Sequence, residues 1–357
     1  NYQRFRNSSR KMLAAKDSNA SLRNGAPTLQ DVAKYAQVST ATVSRVLTQP
    51  DVVSKTTLRR VTKAIEETGY VVNEAARSLR RKKSGVLLVM VPSVSSPFFS
   101  QVMRGLESTA AKAGYGILTA NTADDTIKEQ QLFSYVQQKR ADAVLILGGR
   151  PPVQKEELLD NMPPIVAVNE RIIGLDVPTV AVDGFHAAKE VIRYLMGLGH
   201  TKIGHISGPS DRTSSAADRL EGYQEILSDA GLEPSWTFST EYNMESGALA
   251  AREWITLPKR PTAVFCSCDE VAFGFNSALY RNGFRVPRDV SVVGFDDVPL
   301  AEFAIPSLTT IRQPHLEIGV QAVKLLLQLM QNPTEPPQSI YLKGDLIIRE
   351  SAHRLSK

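Results

Sequence analysis

From Val86 almost to the end of the chain, short apolar runs alternate with amphipathic stretches, and this alternation is the strongest constraint on the fold. Buried parallel strands have continuous apolar sequences, and a crossover of a dozen or more residues, usually a helix, separates each strand from the next. Two successive series of this kind predict an α/β core of two lobes, each with a doubly wound parallel sheet. The predicted strands are 86–91, 116–119, 143–147, 165–169 and 180–183 in the first series, and 202–207, 263–267 and 291–295 in the second.

The charge of the chain is divided unevenly along its length. Residues 1–84 hold 17 basic and six acidic side chains, a net charge of +11, whereas the remainder holds 25 basic and 31 acidic side chains, a net charge of −6. Because neutralisation of phosphates by Lys and Arg dominates affinity for nucleic acids, only the amino-terminal part is expected to bind a polyanion. Residues 1–26 are predicted to be a disordered basic arm.

The sequence also disfavours covalent cross-links, metal sites and a membrane location. Cys266 and Cys268 are separated by one residue and should point to opposite faces of a strand, so neither a disulfide nor a zinc site is predicted. No window is apolar enough to span a membrane, and the first residues do not resemble an export signal. We therefore expect a cytoplasmic, nucleoid-associated protein with no metal, no other cofactor and no membrane partner.

Three short helices are predicted in residues 27–72. Thr28 and Asp31 have the spacing of a capping box, Ser39 can cap a second helix over 40–47, and a third helix begins at Ser54 and ends at Gly69. A tight turn between the first two helices makes a helix-turn-helix, whose second helix enters the major groove of DNA. A three-helix domain that binds protein instead is the alternative, which the net positive charge disfavours.

Two segments of this module, 28–33 (TLQDVA) and 38–47 (VSTATVSRVL), resemble the headpiece of the lactose-repressor/galactose-repressor family. The similarity continues from Gly85 to the end of the chain. The resemblance implies a transcriptional regulator, in most cases a repressor, that binds double-stranded operator DNA as a homodimer and responds allosterically to a small-molecule effector. The candidate DNA contacts of the headpiece are Thr28, Ser39, Thr40, Ala41, Thr42, Ser44 and Arg45, with Arg45 expected to donate to guanine O6 and N7.

Residues 73–84 are predicted to be a hinge, because 73–80 (NEAARSLR) resembles the hinge helix of the same family. In that family the hinge becomes helical on operator DNA, and the residue matching Leu79 wedges between base steps in the minor groove. This chain has Val72 where the family usually has proline, which leaves the unbound hinge freer. A flexible basic linker is the alternative interpretation. The candidate DNA contacts of the hinge are Asn73, Ala76, Arg77, Leu79 and Arg80.

Polar and aromatic side chains follow strands of both series. Ligands of open α/β sheets bind beyond the carboxyl ends of the strands, so these side chains are candidate effector contacts. The family resemblance implies that Phe99 and Tyr242 stack on a ring of the effector, while Arg219 and Asp296 bond its polar edge. Each residue also has a purely structural alternative, in the core, on the surface or at a turn. The candidate effector contacts are Phe98, Phe99, Asn169, Arg212, Ser214, Arg219, Tyr242, Asp269 and Asp296.

The resemblance also divides the core, residues 85–357, as in periplasmic sugar-binding proteins. Lobe one is predicted to comprise about 85–183 and 314–338, and lobe two about 184–313 and 339–357. A periplasmic solute-binding protein shares the two lobes but carries no basic helix-turn-helix, and the sequence has none of the common local signatures of an enzyme. We therefore expect a regulator and no catalytic residues.

The class of effector depends on finer similarities. The segments 97–100 (PFFS) and 147–150 (LGGR) resemble the nucleoside- and purine-responsive branch of the family. Sugar-binding relatives usually have Asn at the position of Cys268. A nucleoside or nucleobase is therefore favoured, and a sugar is the alternative. The sequence leaves open whether the effector releases the protein from DNA or recruits it.

Overall fold

The computed structural model describes residues 26–71, 83–123, 125–148, 163–210, 213–334 and 338–355. Contacts within the chain define two compact units, Asn1–Arg80 and Arg81–Lys357. The predicted basic arm, except for Ala26, and the hinge predictions for residues 73–82 lie outside the described residues.

The described part of the amino-terminal unit contains three α-helices: α1 (Leu29–Tyr35), α2 (Thr40–Thr48) and α3 (Lys55–Thr68). Each helix begins at a side-chain cap. The Thr28 hydroxyl accepts from the Asp31 N–H at 3.4 Å, and the Asp31 carboxylate accepts from the Thr28 N–H at 2.8 Å. Ser39 and Ser54 cap α2 and α3, and Gly69 ends α3 with a left-handed φ of 65°. The prediction of three short helices, with caps at Thr28 and Ser39 and an end at Gly69, is confirmed.

Small side chains fill the core of this unit and leave one face of α2 in solvent. The buried residues are Val and Ala, and Val43 and Val46 anchor α2 from its inner face. Thr40, Ala41 and Arg45 are exposed on the outer face. The unit therefore holds α2 in place through one side of the helix and presents the other side to a partner.

The core contains two sheets, each with six strands among the described residues. All the strand pairs of the first sheet are parallel, and only the last strand of the second sheet runs antiparallel to its neighbour. The strands are β1 (Val86–Val91), β2 (Gly116–Asn121), β3 (Ala143–Ile146), β4 (Ile165–Asn169), β5 (Thr179–Val182), β6 (Ile203–Ser207), β7 (Trp236–Ser239), β8 (Ala263–Cys266), β9 (Ser291–Asp296), β10 (Thr309–Arg312), β11 (Ile340–Leu342) and β12 (Asp345–Ile347).

The two sheets have related strand orders, β11-β5-β4-β3-β1-β2 and β12-β10-β9-β8-β6-β7. In both, the order reverses between the first and third strand of the series, and such a switch point opens a crevice at the carboxyl ends of the strands. The prediction of two doubly wound lobes is confirmed. The central strands are predicted to within one or two residues, whereas four short strands, β7, β10, β11 and β12, were not predicted.

Eight described helices cover the sheets: α4 (Pro97–Lys112), α5 (Thr126–Gln137), α6 (Gly184–Gly197), α7 (Ser214–Asp229), α8 (Met244–Thr256), α9 (Asp269–Arg281), α10 (Leu300–Phe303) and α11 (His315–Gln331). In lobe one, α4 packs closely on α11, and a Cβ atom at Gly105 would overlap the carbonyl oxygen of Leu316. The glycines at this crossing allow backbone contact, so α4 and α11 form one rigid pair.

Within the described part of the core, the chain crosses between the lobes three times, and the third crossing differs from the prediction. The first two crossings lie near Asp183 and between Arg312 and His315. The third lies at Lys343 and Gly344, because Ile340–Leu342 pairs with β5 and extends the sheet of lobe one. The assignment of residues 339–342 to lobe two is therefore corrected.

Both cysteines are free and buried. Within the described ranges, none of the helices combines the length and the apolar character that a membrane span requires.

Candidate functional site

The outer face of α2 is the first candidate site. Among the predicted DNA contacts, Thr28, Ser39, Thr40, Ala41 and Arg45 are exposed. Thr42 and Ser44 are half-buried. The Ser39 hydroxyl accepts from the Thr42 N–H at 3.1 Å, so its role in the free protein is to cap the helix. Among the predicted contacts, the exposed residues of α2 left for a partner are thus Thr40, Ala41 and Arg45.

Exposed basic side chains of the other two helices add to the charge of this unit. Lys34 lies on α1, and Lys55, Arg59, Arg60 and Lys63 lie on α3. Their charge is part of the net charge of +11, but none of them was predicted as a contact, because a basic side chain on a solvated helix face carries no further local signal. Such side chains bind the phosphates that flank a recognition helix.

The second candidate site is a cavity of about 500 Å³ between the two lobes of the core. Its walls are formed by the segments that follow strands of both sheets, where the switch-point rule places a ligand. Six predicted effector contacts line it: Phe98, Phe99, Asn169, Arg219, Tyr242 and Asp296. A cavity of this size holds a small organic molecule.

Aromatic rings form part of both walls of the cavity. In lobe one, Phe98 and Phe99 follow Pro97 in the first turn of α4 and lie edge-to-face, with 5.2 Å between their ring centroids. Phe98 is 5% exposed and packs against the His315 ring, so most of its surface belongs to the core. Phe99 is half-buried and presents more of its ring. In lobe two, burial raises the pKa of Tyr242 to about 12, so its hydroxyl remains a neutral hydrogen-bonding group.

Arg219 is the buried cation of the cavity wall. It lies on α7, is 5% exposed, and its guanidinium carbon is 3.8 Å from the centroid of the Phe295 ring. Its Nη1 donates to the Ser267 carbonyl oxygen at 2.6 Å, while its Nε has no hydrogen-bond partner among the described residues. The cation–π contact and the carbonyl bond fix the plane of the guanidinium before any ligand arrives.

Asp296 enters the cavity from the end of β9 through an unusual backbone conformation. Its φ is 118° and that of Asp297 is 56°, both in the region that favours glycine. Strain of this kind persists where the surrounding structure enforces it, and here Asp297 pairs with Arg312 at 2.6 Å and with Arg349 at 2.7 Å. The turn leaves Asp296 9% exposed, with one oxygen accepting from Gln313 Nε2 at 2.7 Å.

The same burial changes the acidity of Asp296. Desolvation raises its pKa to about 7, against the opposing effects of Arg219 and of the Gln313 hydrogen bond. The carboxyl group can therefore accept a bond as an anion, or donate one as an acid, near neutral pH.

Two predicted effector contacts, Asp269 and Ser214, do not line this cavity. Asp269 is fully buried within lobe two, where its oxygens accept from the Val298 N–H at 2.9 Å and from the Thr310 hydroxyl at 2.6 Å. The Ser214 hydroxyl is held by the main chain of Arg171, accepting from its N–H at 2.9 Å and donating to its oxygen at 3.1 Å. Both predictions are corrected, since these side chains join parts of the protein to each other. Arg212 lies outside the described residues.

Three carboxylates that sequence reasoning missed line the same cavity: Glu170, Glu241 and Glu270. Glu170 accepts from the Ser215 hydroxyl at 3.0 Å, and Glu270 accepts from the Ser96 hydroxyl at 3.3 Å, which joins the two lobes across the cleft. Each of the three is the sequence neighbour of a predicted contact, Asn169, Tyr242 or Asp269. This adjacency in sequence was the one indication that these carboxylates lie near the cavity. It does not show which of two neighbouring residues faces the cleft.

Two family profiles match the chain. "Bacterial regulatory proteins, lacI family" matches residues 28–73, and "Periplasmic binding protein-like domain" matches residues 192–352. The first covers the helix-turn-helix unit, and the second covers most of lobe two and the carboxyl-terminal part of the core.

Full-length relatives match over nearly the whole chain. The HTH-type transcriptional repressor CytR of Escherichia coli (strain K12) is 40% identical over 333 residues, 92% of this chain and 97% of that protein. The ribose operon repressor of Haemophilus influenzae is 34% identical over 334 residues, 92% of this chain and 99% of that protein. Among solved structures, a lac repressor dimer bound to operator and the anti-inducer ONPF matches with a TM-score of 0.82 at 26% identity, covering 92% of this chain and 100% of that chain.

Proposed function

Because the chain belongs to the lacI family of bacterial regulatory proteins, we propose that a nucleoside or nucleobase bound in the interlobe cleft controls its affinity for operator DNA. The protein is a homodimeric DNA-binding transcriptional regulator with an effector-binding core. The observation that supports the effector class is the cavity itself, where two aromatic walls flank a fixed guanidinium and a buried carboxyl group. Flat rings stack between aromatic side chains, and their polar edges require such groups.

The proposed division of labour follows the chain. Residues 27–72 read DNA through α2, with Arg45 on a guanine, and residues 73–84 form the hinge that includes Asn73, Ala76, Arg77, Leu79 and Arg80. Residues 85–357 bind the effector and dimerise. The proposed effector contacts are Phe98, Phe99, Asn169, Arg219, Tyr242 and Asp296, and Arg212 stays a prediction.

A sugar is the second candidate for the effector. The relatives include ribose operon repressors, and the carboxylates of the cleft accept hydrogen bonds from hydroxyl groups as readily as from amino groups. The two candidates differ in what they require of Phe99 and Tyr242, because a nucleobase needs a stacking surface and a small sugar does not.

A two-stage binding experiment tests the proposal. Selection from random duplexes with the full chain should enrich a pseudo-palindromic site, since each half-site is read by one headpiece of the dimer. Fluorescence anisotropy on the selected duplex is then repeated with cytidine, adenosine, uracil, hypoxanthine and ribose. We expect a nucleoside or a nucleobase to change the operator affinity by about fivefold or more.

The controls separate the two halves of the proposal. Phe99→Leu should weaken a stacked nucleoside about tenfold and leave ribose binding nearly unchanged, because it removes the ring and keeps the bulk. Failure to enrich any duplex would contradict sequence-specific DNA binding. A response to ribose alone would contradict the nucleoside assignment and support the sugar.

The proposal assigns binding without catalysis to the cleft and places the protein in the cytoplasm, where operator DNA is found. Chromatography after prolonged incubation of the effector with a stoichiometric amount of protein should recover it intact. A converted product would contradict the assignment.

A further inference from the structure

We propose that the interlobe cleft rejects anions and admits only unphosphorylated ligands, and that Glu170, Glu241 and Glu270 determine this specificity. The inference rests on the proposed function, because it refines the effector from nucleosides and related compounds to their neutral forms. None of these three residues was assigned a role by the sequence.

The charges that line the cavity are the first argument. Four acidic residues line it: Glu170, Glu241, Glu270 and Asp296. Among the described lining residues, Arg219 is the only cation. A phosphorylated ligand would bring up to two further negative charges into a partly closed space where charges are poorly screened. Among the residues that the structure describes at this cavity, one guanidinium therefore stands beside four acidic side chains.

Arg219 is also committed to other groups. Its charge lies over the Phe295 ring, its Nη1 bonds the Ser267 carbonyl oxygen, and it lowers the pKa of the neighbouring Asp296. At 5% exposure, only a small part of its surface reaches the cavity. Arg219 can still donate one hydrogen bond to a ligand, from its unpartnered Nε after a small movement of the side chain. A neutral acceptor on the ligand can take this bond without bringing a further negative charge.

The N-termini of the lobe-two helices at the cleft give a second, independent argument. A helix N-terminus binds phosphate through its free N–H groups and its dipole. At α7 this position is occupied, because Glu170 accepts from the Ser215 N–H at 3.3 Å and from its hydroxyl at 3.0 Å. The carboxylate thus occupies the place that a ligand phosphate would take.

The other helices that begin at the cleft in lobe two follow the same rule. Glu270 and Asp269 lie in the first turn of α9, and Glu270 lines the cavity. The first turn of α8 carries Glu245, and the Asn243 side chain accepts from the Ser246 N–H at 2.8 Å. An incoming phosphate would therefore meet Glu170 at α7 and Glu270 at α9, while the Asn243 side chain already occupies a free N–H at the start of α8.

The same carboxylates favour a ligand rich in donors. Ionised carboxylates only accept hydrogen bonds, and a ribose with free hydroxyl groups supplies donors for several of them. A nucleoside therefore donates hydrogen bonds to the carboxylates of the cavity. In its 5′-monophosphate, one of these donors, the 5′-hydroxyl group, is replaced by a phosphate whose oxygens act mainly as acceptors.

Calorimetry on the full-length dimer tests this with matched pairs of probes: cytidine and its 5′-monophosphate, adenosine and its 5′-monophosphate, and ribose and ribose 5-phosphate. We expect the neutral member that binds to be at least about 100-fold tighter than its phosphorylated counterpart. In 5′-O-acetylcytidine the added group is bulky but uncharged. If the acetyl group lowers the binding affinity as much as the phosphate does, the cleft excludes ligands by size and not by charge. That result would overturn the inference, and it needs no variant of the protein.

Charge-neutral variants test the residues themselves. Glu170→Gln, Glu241→Gln and Glu270→Gln combined should reduce the preference for the neutral ligand at least about tenfold, chiefly by tightening the monophosphate. Glu221→Gln, on the exposed face of α7, removes one negative charge outside the cavity and should leave the preference unchanged. Equal changes in both proteins would overturn the assignment of these carboxylates.

The proposed effector class and the rejection of anions are contradicted by different results. Tight binding of a monophosphate by the unaltered protein overturns the rejection of anions and leaves the proposed regulator intact. Absence of binding by every neutral probe overturns the proposed effector class and this inference together.

Discussion

The outer face of α2 and the interlobe cleft are opposites in charge and in burial. The first exposes hydroxyl groups and Arg45 on a unit rich in basic side chains, and a core of Val and Ala residues supports it. The second holds a buried cation, a buried carboxyl group at a strained turn, and three further carboxylates. One surface suits a polyanion in water, and the other suits a small neutral molecule removed from water.

The difference shows how one chain keeps two ligands apart. Side chains on the headpiece are solvated, so they gain affinity by neutralising phosphates and releasing counterions. In the cleft, Arg219, Asp296 and Glu170 are buried and bond Ser267, Gln313 and Ser215, respectively, so they gain affinity from fixed geometry. The net charge of −6 on residues 85–357 also disfavours DNA binding to the core.

The largest expected difference between the two sites is the dependence of their binding affinities on salt concentration. Raising the salt concentration from about 50 to about 200 mM should weaken operator binding about 10³-fold or more, because a dimer that contacts six or more phosphates releases as many counterions. Effector affinity, measured by calorimetry over the same range, should change less than about twofold, since its groups are buried. Equal salt dependence of the two affinities would contradict the comparison.

Substitution of either buried polar residue, Asp296 or Arg219, should weaken effector binding in the cleft and leave DNA binding intact. Asp296→Asn and Arg219→Ala should each weaken the effector about 100-fold and abolish its effect on DNA binding, because a partner group is left buried and unsatisfied. Operator affinity without effector should stay within about twofold of wild type. Effector affinity that is unchanged by calorimetry would contradict the placement of these residues in the site.

The headpiece was predictable because its signals are local. Thr28 with Asp31, Ser39, Ser54 and Gly69 each act within four residues of their own position, so spacing alone located the ends of the helices. The central strands were predicted from apolar runs of the expected length. In both cases the sequence contains the interaction that forms the structure.

The parts that were missed depend on contacts between distant segments. Ile340–Leu342 forms a strand because it meets β5, about 160 residues earlier, and nothing in its own composition selects lobe one over lobe two. Asp269 and Glu270 are adjacent acids at the start of α9, yet one bonds Thr310 inside the lobe and the other faces the cleft. Only the packed fold distinguishes them.

The predicted contact between Arg45 and one base tests whether the outer face of α2 reads DNA sequence. Arg45→Ala should cost about 1–3 kcal/mol at one base pair of each half-site, if its guanidinium bridges guanine O6 and N7. Binding to duplexes with each substitution at that position should become nearly equal, while effector affinity is unchanged. Uniform weakening on all duplexes, with a salt slope reduced by about one, would identify Arg45 as a phosphate contact instead.

The smallest expected effect is the response of the cleft to pH. Burial raises the pKa of Asp296 to about 7, while Arg219 and Gln313 act in the opposite direction and Glu270 adds to the rise. Donors on the effector stabilise the ionised carboxylate, so binding should lower this pKa and release a proton near neutral pH.

Affinity should therefore rise about tenfold between about pH 6 and pH 8 and level off above the pKa of the free protein. Calorimetry in two buffers with different ionisation enthalpies measures both the affinity and the protons released. Asp296→Asn carries no titrating group at this position, so its residual affinity should not change over the same range. An affinity that falls as pH rises would mean that the effector accepts a hydrogen bond from the neutral acid, and the polarity of the contact at Asp296 would be reversed.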